Sequence, residues 1–305
     1  GEALDTIRRV SPEQVPRDNG AYVPASSVTE IRQTREQRET QGDRVISAIV
    51  DDYTGRTAEA RRQTLIVTQT NADAMAINAG IHDRLHEAGK TGEQELPVTV
   101  LVREKTQTEA LKSVAGLAQH NGGVALIHQQ YYTIHSPDTA NGVVMLRDAE
   151  GRDHLLSAFE SSLRDIAVFS RREIRLSEGD LVRFTRQDRE QGRDTQTLWE
   201  VSGIADNGDI TLKNGENTRL VQPGREMSDM HLDYGYAGTA HRAQGASEAF
   251  VIALTGATDA RQRLASLSDA YVALSRMKQH VQVYTDDTGK GLASVAASES
   301  RKTAN

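Results

Sequence analysis

The sequence predicts an α/β fold in which a parallel-sheet domain is interrupted by a mainly β insertion. Two observations lead there. Short β-branched runs followed by helical periodicity occur in two separated stretches, residues 26–92 and 231–288. Between them the period shortens to strand-like alternation, broken by turn signals such as "NGG", "ANG", "DNG" and "KNG". A chain of 305 residues has length enough for two or three modules, each with its own core.

In chain order, residues 1–25 hold three of the six prolines and little periodicity, and read as an irregular arm. "SVTEIRQTREQRETQGDRVISAIV", from Ser27 to Val50, reads as a helix that restarts near Gly42. "TLIVTQT" (64–70) is a buried parallel strand by its unbroken β-branched apolar run. Asn71 is placed to cap the helix that follows, whose Ala74, Ile77, Ile81 and Leu85 recur at helical spacing, and Gly89 ends it. Residues 93–172 form a β-rich insert with one helix around 106–120, and 173–230 a second, smaller β insert. The strand–helix rhythm then returns with "AFVIAL", "RQRLASLSDAYVALSRM" and "HVQVYT", and 289–305 reads as a flexible tail.

Composition removes several classes of function. Without cysteine there is no disulfide, thiolate metal site or cysteine nucleophile. No apolar run reaches the length of a membrane span and the first residues lack a signal core, so a cytoplasmic chain without membrane insertion is expected. A net charge of −7 opposes a uniformly basic polyanion-binding surface but leaves room for a local groove. "EAGKT" (87–91) looks like the end of a phosphate-binding loop, yet Arg84 stands where that loop needs glycine, and no other G-x-x-x-x-G-K-[ST] occurs. His82 and His86 stand one turn apart but suggest an exposed helical face more than a metal site. The paired carboxylates Asp51–Asp52 and Asp286–Asp287 read as solvated ends of apolar runs, and no metal site is expected.

The densest polar cluster is "DYGYAGTAHRAQGASEAFVIAL" (233–254). Together with "TLIVTQTNADAMAINAGIHDRL" (64–85) and "DAYVALSRMKQHVQVYT" (269–285), in that order, it resembles motifs V, IV and VI of RecD-like superfamily 1 helicases. The resemblance implies a RecA-like second motor domain (2A), with an SH3-like barrel (2B) in the insertion. It implies DNA contact by Thr239, His241, Arg242 and Gln244, and by Thr70 and Asn71. Hydroxyls and an imidazole near a helix N-terminus suit a phosphate. It also implies a nucleotide cleft reached by Gly245, Glu248 and Arg276, although Met277 and Lys278 depart from the pattern. The phosphate loop and its acid belong to the first RecA-like domain of such motors. ATP and Mg²⁺ are therefore expected only when that domain is supplied, and no cofactor or autonomous ATPase activity is expected of this chain.

The insertion and the "DYGYAGTAHRAQG" wording are most similar to conjugative relaxase–helicases of the TraI type. That similarity implies a non-catalytic module that binds single-stranded DNA and works alongside the relaxase and helicase domains of a parent chain. The parent is expected to pass to a recipient cell by type IV secretion, with the secretion coupling protein as partner. "GDLVRFT" (Gly179, Asp180, Leu181, Val182, Arg183, Phe184 and Thr185) is similar to the internal translocation signal of these proteins, and reads equally well as the first strand of the small barrel. Single-strand grooves pair arginines with stacking aromatics, for which Tyr131, Tyr132, Tyr234, Tyr236 and Trp199 are candidates. Two other functions stay open: the C-terminal half of an active ATP-dependent helicase, and a protein-docking module without DNA contact.

Overall fold

The computed structural model describes residues 14–24, 27–106, 108–157, 166–239, 248–256 and 280–287. The chain folds as two compact units, the first drawn from residues up to Thr91 and from Tyr234 onwards, the second from Gly92 to Asp233. The observed class is α/β, a parallel-sheet domain carrying a mainly β insertion.

The first unit opens on residues 14–24, which are packed rather than loose. Val15 and Val23 are buried with Ala60 and Phe250, and the Val23 N–H donates to Val15 O at 2.9 Å. Strand β1 (Ser27–Glu30) replaces the expected start of a helix. It lies parallel to a strand near residue 280, which no local pattern announces. The helix proper waits for its cap: Thr34 and Gln37 form a reciprocal capping box at the start of α1 (Arg35–Gln41). Gly42, at φ 76°, breaks the run, and Asp43 caps α2 (Arg44–Gly55) by accepting from the Val45 and Ile46 N–H groups. The short α3 (Ala58–Arg62) leads into β2 (Thr64–Thr68), buried at all five positions. Helix α4 (Asn71–Glu87) follows. It ends in a Schellman motif, with Gly89 at φ 65°, its N–H on His86 O and the Lys90 N–H on Leu85 O.

The second unit is the insertion. Strand β3 (Leu96–Arg103) precedes two single-turn helices, α5 (Thr108–Leu111) and α6 (Val114–Ala118), where one helix was expected. Then come β4 (Val124–Ile127), β5 (Gln130–Asp138), β6 (Val143–Arg147), β7 (Asp153–Ser157) and β8 (Ile166–Leu176). These strands make an antiparallel sheet of order β3-β8-β4-β5-β6-β7. The expected boundary at 172/173 falls inside β8. A second sheet, of order β12-β11-β10-β9-β13, is built from β9 (Leu181–Phe184), β10 (Trp199–Ile204), β11 (Ile210–Asn214), β12 (Asn217–Val221) and β13 (Leu232–Tyr234). Met230, just before β13, packs into Leu101, Val124, Leu126 and Phe169 of the larger sheet.

The chain then completes the first unit with β14 (Ala237–Thr239), β15 (Phe250–Thr255) and β16 (His280–Thr285). The sheet order is β1-β16-β15-β2-β14, with every neighbouring pair parallel. Strand β2 therefore has a strand on both sides, and burial on both faces explains its uninterrupted apolar run.

Candidate nucleic-acid interface

In open parallel sheets, ligands gather outside the carboxyl ends of the strands. At that edge β2 and β14 lie side by side in register, Thr68 opposite Thr239. The connection from β2 to α4 passes through Gln69 and Thr70. Gln69 Oε1 accepts from the Gly256 N–H at 2.7 Å, which ties this connection to the end of β15. Thr68 Oγ1 donates to Thr70 O at 2.9 Å, setting the turn into the helix.

Thr70, not Asn71, caps α4. Its backbone is extended (φ −120°, ψ 150°) and its hydroxyl oxygen accepts from the Asp73 N–H at 2.9 Å. Asn71 is the first helical residue and is exposed. The structure thus brings three of the expected DNA-contact residues, Thr70, Asn71 and Thr239, to one edge beside the N-terminus of a 17-residue helix. Thr70 and Thr239 are half-buried.

One positioning residue was not anticipated. Asn78 lies on the buried face of α4 between Ile77 and Ile81. Its Oδ1 accepts from the Ala237 N–H at 2.7 Å and its Nδ2 donates to Ala237 O at 3.1 Å. That pair of hydrogen bonds fixes β14, and with it Thr239, to the helix that presents Thr70. The only signal in the sequence was an amide placed within an apolar helical face.

Other expected positions fall differently. Glu248, expected in the nucleotide cleft with Gly245 and Arg276, stands just before β15 at the amino end of the sheet. His241, Arg242, Gln244, Gly245 and Arg276 lie outside the described residues. Tyr234, Tyr236 and Trp199 are buried and cannot stack on bases. Tyr236 meets the Tyr53 ring edge-on at 5.6 Å, and Tyr234 lies against His82, which is itself buried rather than on an exposed face. Tyr131 and Tyr132 alone among the five keep part of their surface.

"GDLVRFT" forms β9 and the turn before it. Gly179 takes φ 94°, Asp180 is buried and accepts from the Ser177 N–H at 2.7 Å, and Leu181, Val182 and Phe184 are buried. Arg183 and Thr185 are half-buried; Arg183 donates to Gln196 O, and the Thr185 N–H to His231 O at 3.0 Å. Among the described residues no cluster of three or more metal-ligating side chains occurs, and no helix is long and apolar enough to cross a membrane.

No protein-family model matches the chain. Two curated relatives do: the multifunctional conjugation protein TraI of Escherichia coli and that of Escherichia coli strain K12. Each is 39% identical over 300 residues, covering 93% of this chain but 17% of the relative's own length. Among solved structures, the chain is similar to a Pif1 helicase described at forked double-stranded DNA (TM-score 0.38, 14% identity, 91% of this chain and 55% of that one). It is also similar to Bacteroides Pif1 bound to single-stranded DNA (TM-score 0.36, 15% identity, 90% and 55%) and to Pif1 of Candida albicans (TM-score 0.38, 12% identity, 87% and 59%). With 39% identity sustained over 93% of its length, the chain corresponds to a segment of TraI-type conjugation proteins.

Proposed function

We propose that the first unit is a non-catalytic helicase-like module that binds single-stranded DNA at the carboxyl edge of its parallel sheet. The observation that supports this most is the register of Thr239 with Thr68 at the carboxyl end of the sheet, where β2 turns into α4 through its cap Thr70. Unpaired N–H groups and the helix dipole favour a phosphate there. In this proposal ATP and Mg²⁺ come with the first RecA-like domain of a parent protein, and the chain alone does not hydrolyse ATP.

Fluorescence anisotropy with a labelled oligothymidylate, at low and high salt, tests the reading. Binding that weakens as salt rises is expected. Thr239→Val keeps the β-branched shape and removes the hydroxyl; loss of a hydrogen bond to a charged group, about 1.5–3 kcal/mol, predicts affinity at least about tenfold weaker. Absence of binding at low salt, or unchanged binding by the variant, would defeat the proposal.

A second proposal concerns the other unit. If β9 serves in recognition by a type IV secretion coupling protein, burial of Leu181, Val182 and Phe184 restricts the readable surface to Arg183, Thr185 and what surrounds them. Arg183→Glu in a full-length parent is expected to lower transfer frequency while leaving the melting curve of the isolated chain unchanged. Wild-type transfer by that variant would remove β9 from recognition.

A further inference from the structure

The second unit holds an open cleft of about 680 Å³ that neither proposal uses. One side is the tip of the β4–β5 hairpin with Tyr131 and Tyr132, and the turn between β6 and β7. The other is the loop 186–191 after β9, together with residues 225–228.

Both sides are held in place at some cost. The hairpin tip is His128-Gln129, with φ 48° and 65°. A two-residue turn of this kind favours asparagine and glycine, and neither is present. Strain of this sort in a solvent-facing loop marks a place where a fixed shape is useful. Gln129 Oε1 accepts from Arg186 Nη2 at 3.1 Å, across the cleft. The facing loop is pinned from behind. Arg219 donates to Gln191 O at 2.7 Å and to Gly192 O at 3.0 Å; Arg193 donates to Ser228 O at 2.9 Å and pairs with Asp229. Both guanidiniums stack on the buried Phe184, at 5.0 and 5.8 Å from its ring centre. Phe184 thus acts as a pedestal for the loop, not as a surface.

Charge selects the class of occupant. The lining carries four arginines: Arg152, Arg186, Arg189 and Arg225. It also carries five carboxylates: Asp148, Glu150, Asp188, Glu190 and Glu226. Arg152 is paired with Asp148 at 2.9 Å and Glu150 at 3.1 Å, and Arg225 with Asp209. Arg186 and Arg189 then face Asp188, Glu190 and Glu226, with no excess of cations for a phosphate backbone. Glutamines 129, 130, 187 and 191 offer paired donors and acceptors of the kind a peptide backbone needs. The two half-buried tyrosines offer ring area at low conformational cost.

We propose that this cleft docks an extended polypeptide segment that carries charges of both signs and a side chain to rest on Tyr131 and Tyr132. The docking function is independent of DNA binding by the first unit, so either can fail alone.

The test is selection of displayed dodecapeptides on the 305-residue chain, with counter-selection on the Arg186→Glu/Arg189→Glu variant, which reverses the half-buried Arg186 and the exposed Arg189 at the cleft. Labelled copies of the selected peptides are then titrated against both chains and against Tyr132→Ala. Mixed-charge peptides are expected to be enriched. Their affinity is expected to fall about tenfold or more on the double variant, with its melting temperature unchanged, and an excess of oligothymidylate is expected not to displace them. Failure to enrich any peptide over the counter-selection would overturn the proposal. Displacement by oligothymidylate would overturn it in favour of a nucleic-acid groove.

Discussion

Asp52→Ala is expected to lower the stability of the first unit by about 3–5 kcal/mol, read as a shift of the urea unfolding midpoint. Asp52 lies inside the fold and grips Arg56 through both oxygens, at 2.9 and 3.2 Å; the Arg56 side chain has no exposed surface. Arg56 Nη1 also donates to Thr64 Oγ1 at the start of β2, and the Tyr284 hydroxyl donates to Asp52 Oδ2 at 2.9 Å. Removing the carboxylate leaves a guanidinium buried without its counter-charge, and that desolvation is the source of the loss. Removing both partners, as Asp52→Leu with Arg56→Met, is expected to recover most of the stability. If the single and double variants lose the same amount, the ion pair is not what holds α2 against the sheet. Tyr284 adds an alkaline counterpart. Burial first, and Asp52 second, raise its hydroxyl pKa above the ordinary 10. Its contribution is complete below pH 10 and declines as the pH climbs beyond that value.

The second large effect is acid weakening of the second unit through His231. This imidazole is 3% exposed, meets the Tyr131 hydroxyl at 2.9 Å, and lies edge-on to Phe169. Burial, reinforced by Arg186 and Arg193 and opposed by Asp188, lowers its pKa from 6.5 to about 4. The folded state therefore binds the proton more weakly than the unfolded chain does. Stability is complete above pH 6.5 and is lost as the pH falls towards 4. At about 1.4 kcal/mol per pH unit, the loss is about 3 kcal/mol over that span. Nearby carboxylates titrate in acid too, so the decisive quantity is the difference between wild type and His231→Gln. The variant is expected to be less stable at pH 7 yet to show a shallower slope between pH 7 and 4.5. Parallel slopes would mean that His231 is already protonated or reaches solvent.

The parts of the fold that could be read from the sequence were those whose cause is local. β2 announces itself because both its faces and both its edges are covered, giving the apolar run Leu65, Ile66 and Val67 between two threonines. Gly89 announces the end of α4 because the Schellman turn needs a left-handed residue there. β1 could not be read, since four residues at the edge of a sheet become a strand only by pairing with residues some 250 positions later. Thr70 and Thr239, singled out in the sequence, do lie at one edge of the sheet, but the cap of α4 is Thr70 and not Asn71. The Thr68 hydroxyl donates to Thr70 O at the turn where Thr70 becomes the cap, an interaction with no sequence signature. The stacking aromatics failed for a compositional reason. With aromatics at 4% of residues, the cores claim Tyr234, Tyr236 and Trp199.

Asn78 does more than hold β14 in place. A strand on the margin of a sheet ordinarily offers its outward N–H and C=O groups to any passing chain and so seeds aggregation. Here a side-chain amide mimics the missing neighbour strand, satisfying one donor and one acceptor of Ala237 at once. Among the described residues, that flank of the parallel sheet therefore presents Ala237 with its donor and acceptor already engaged.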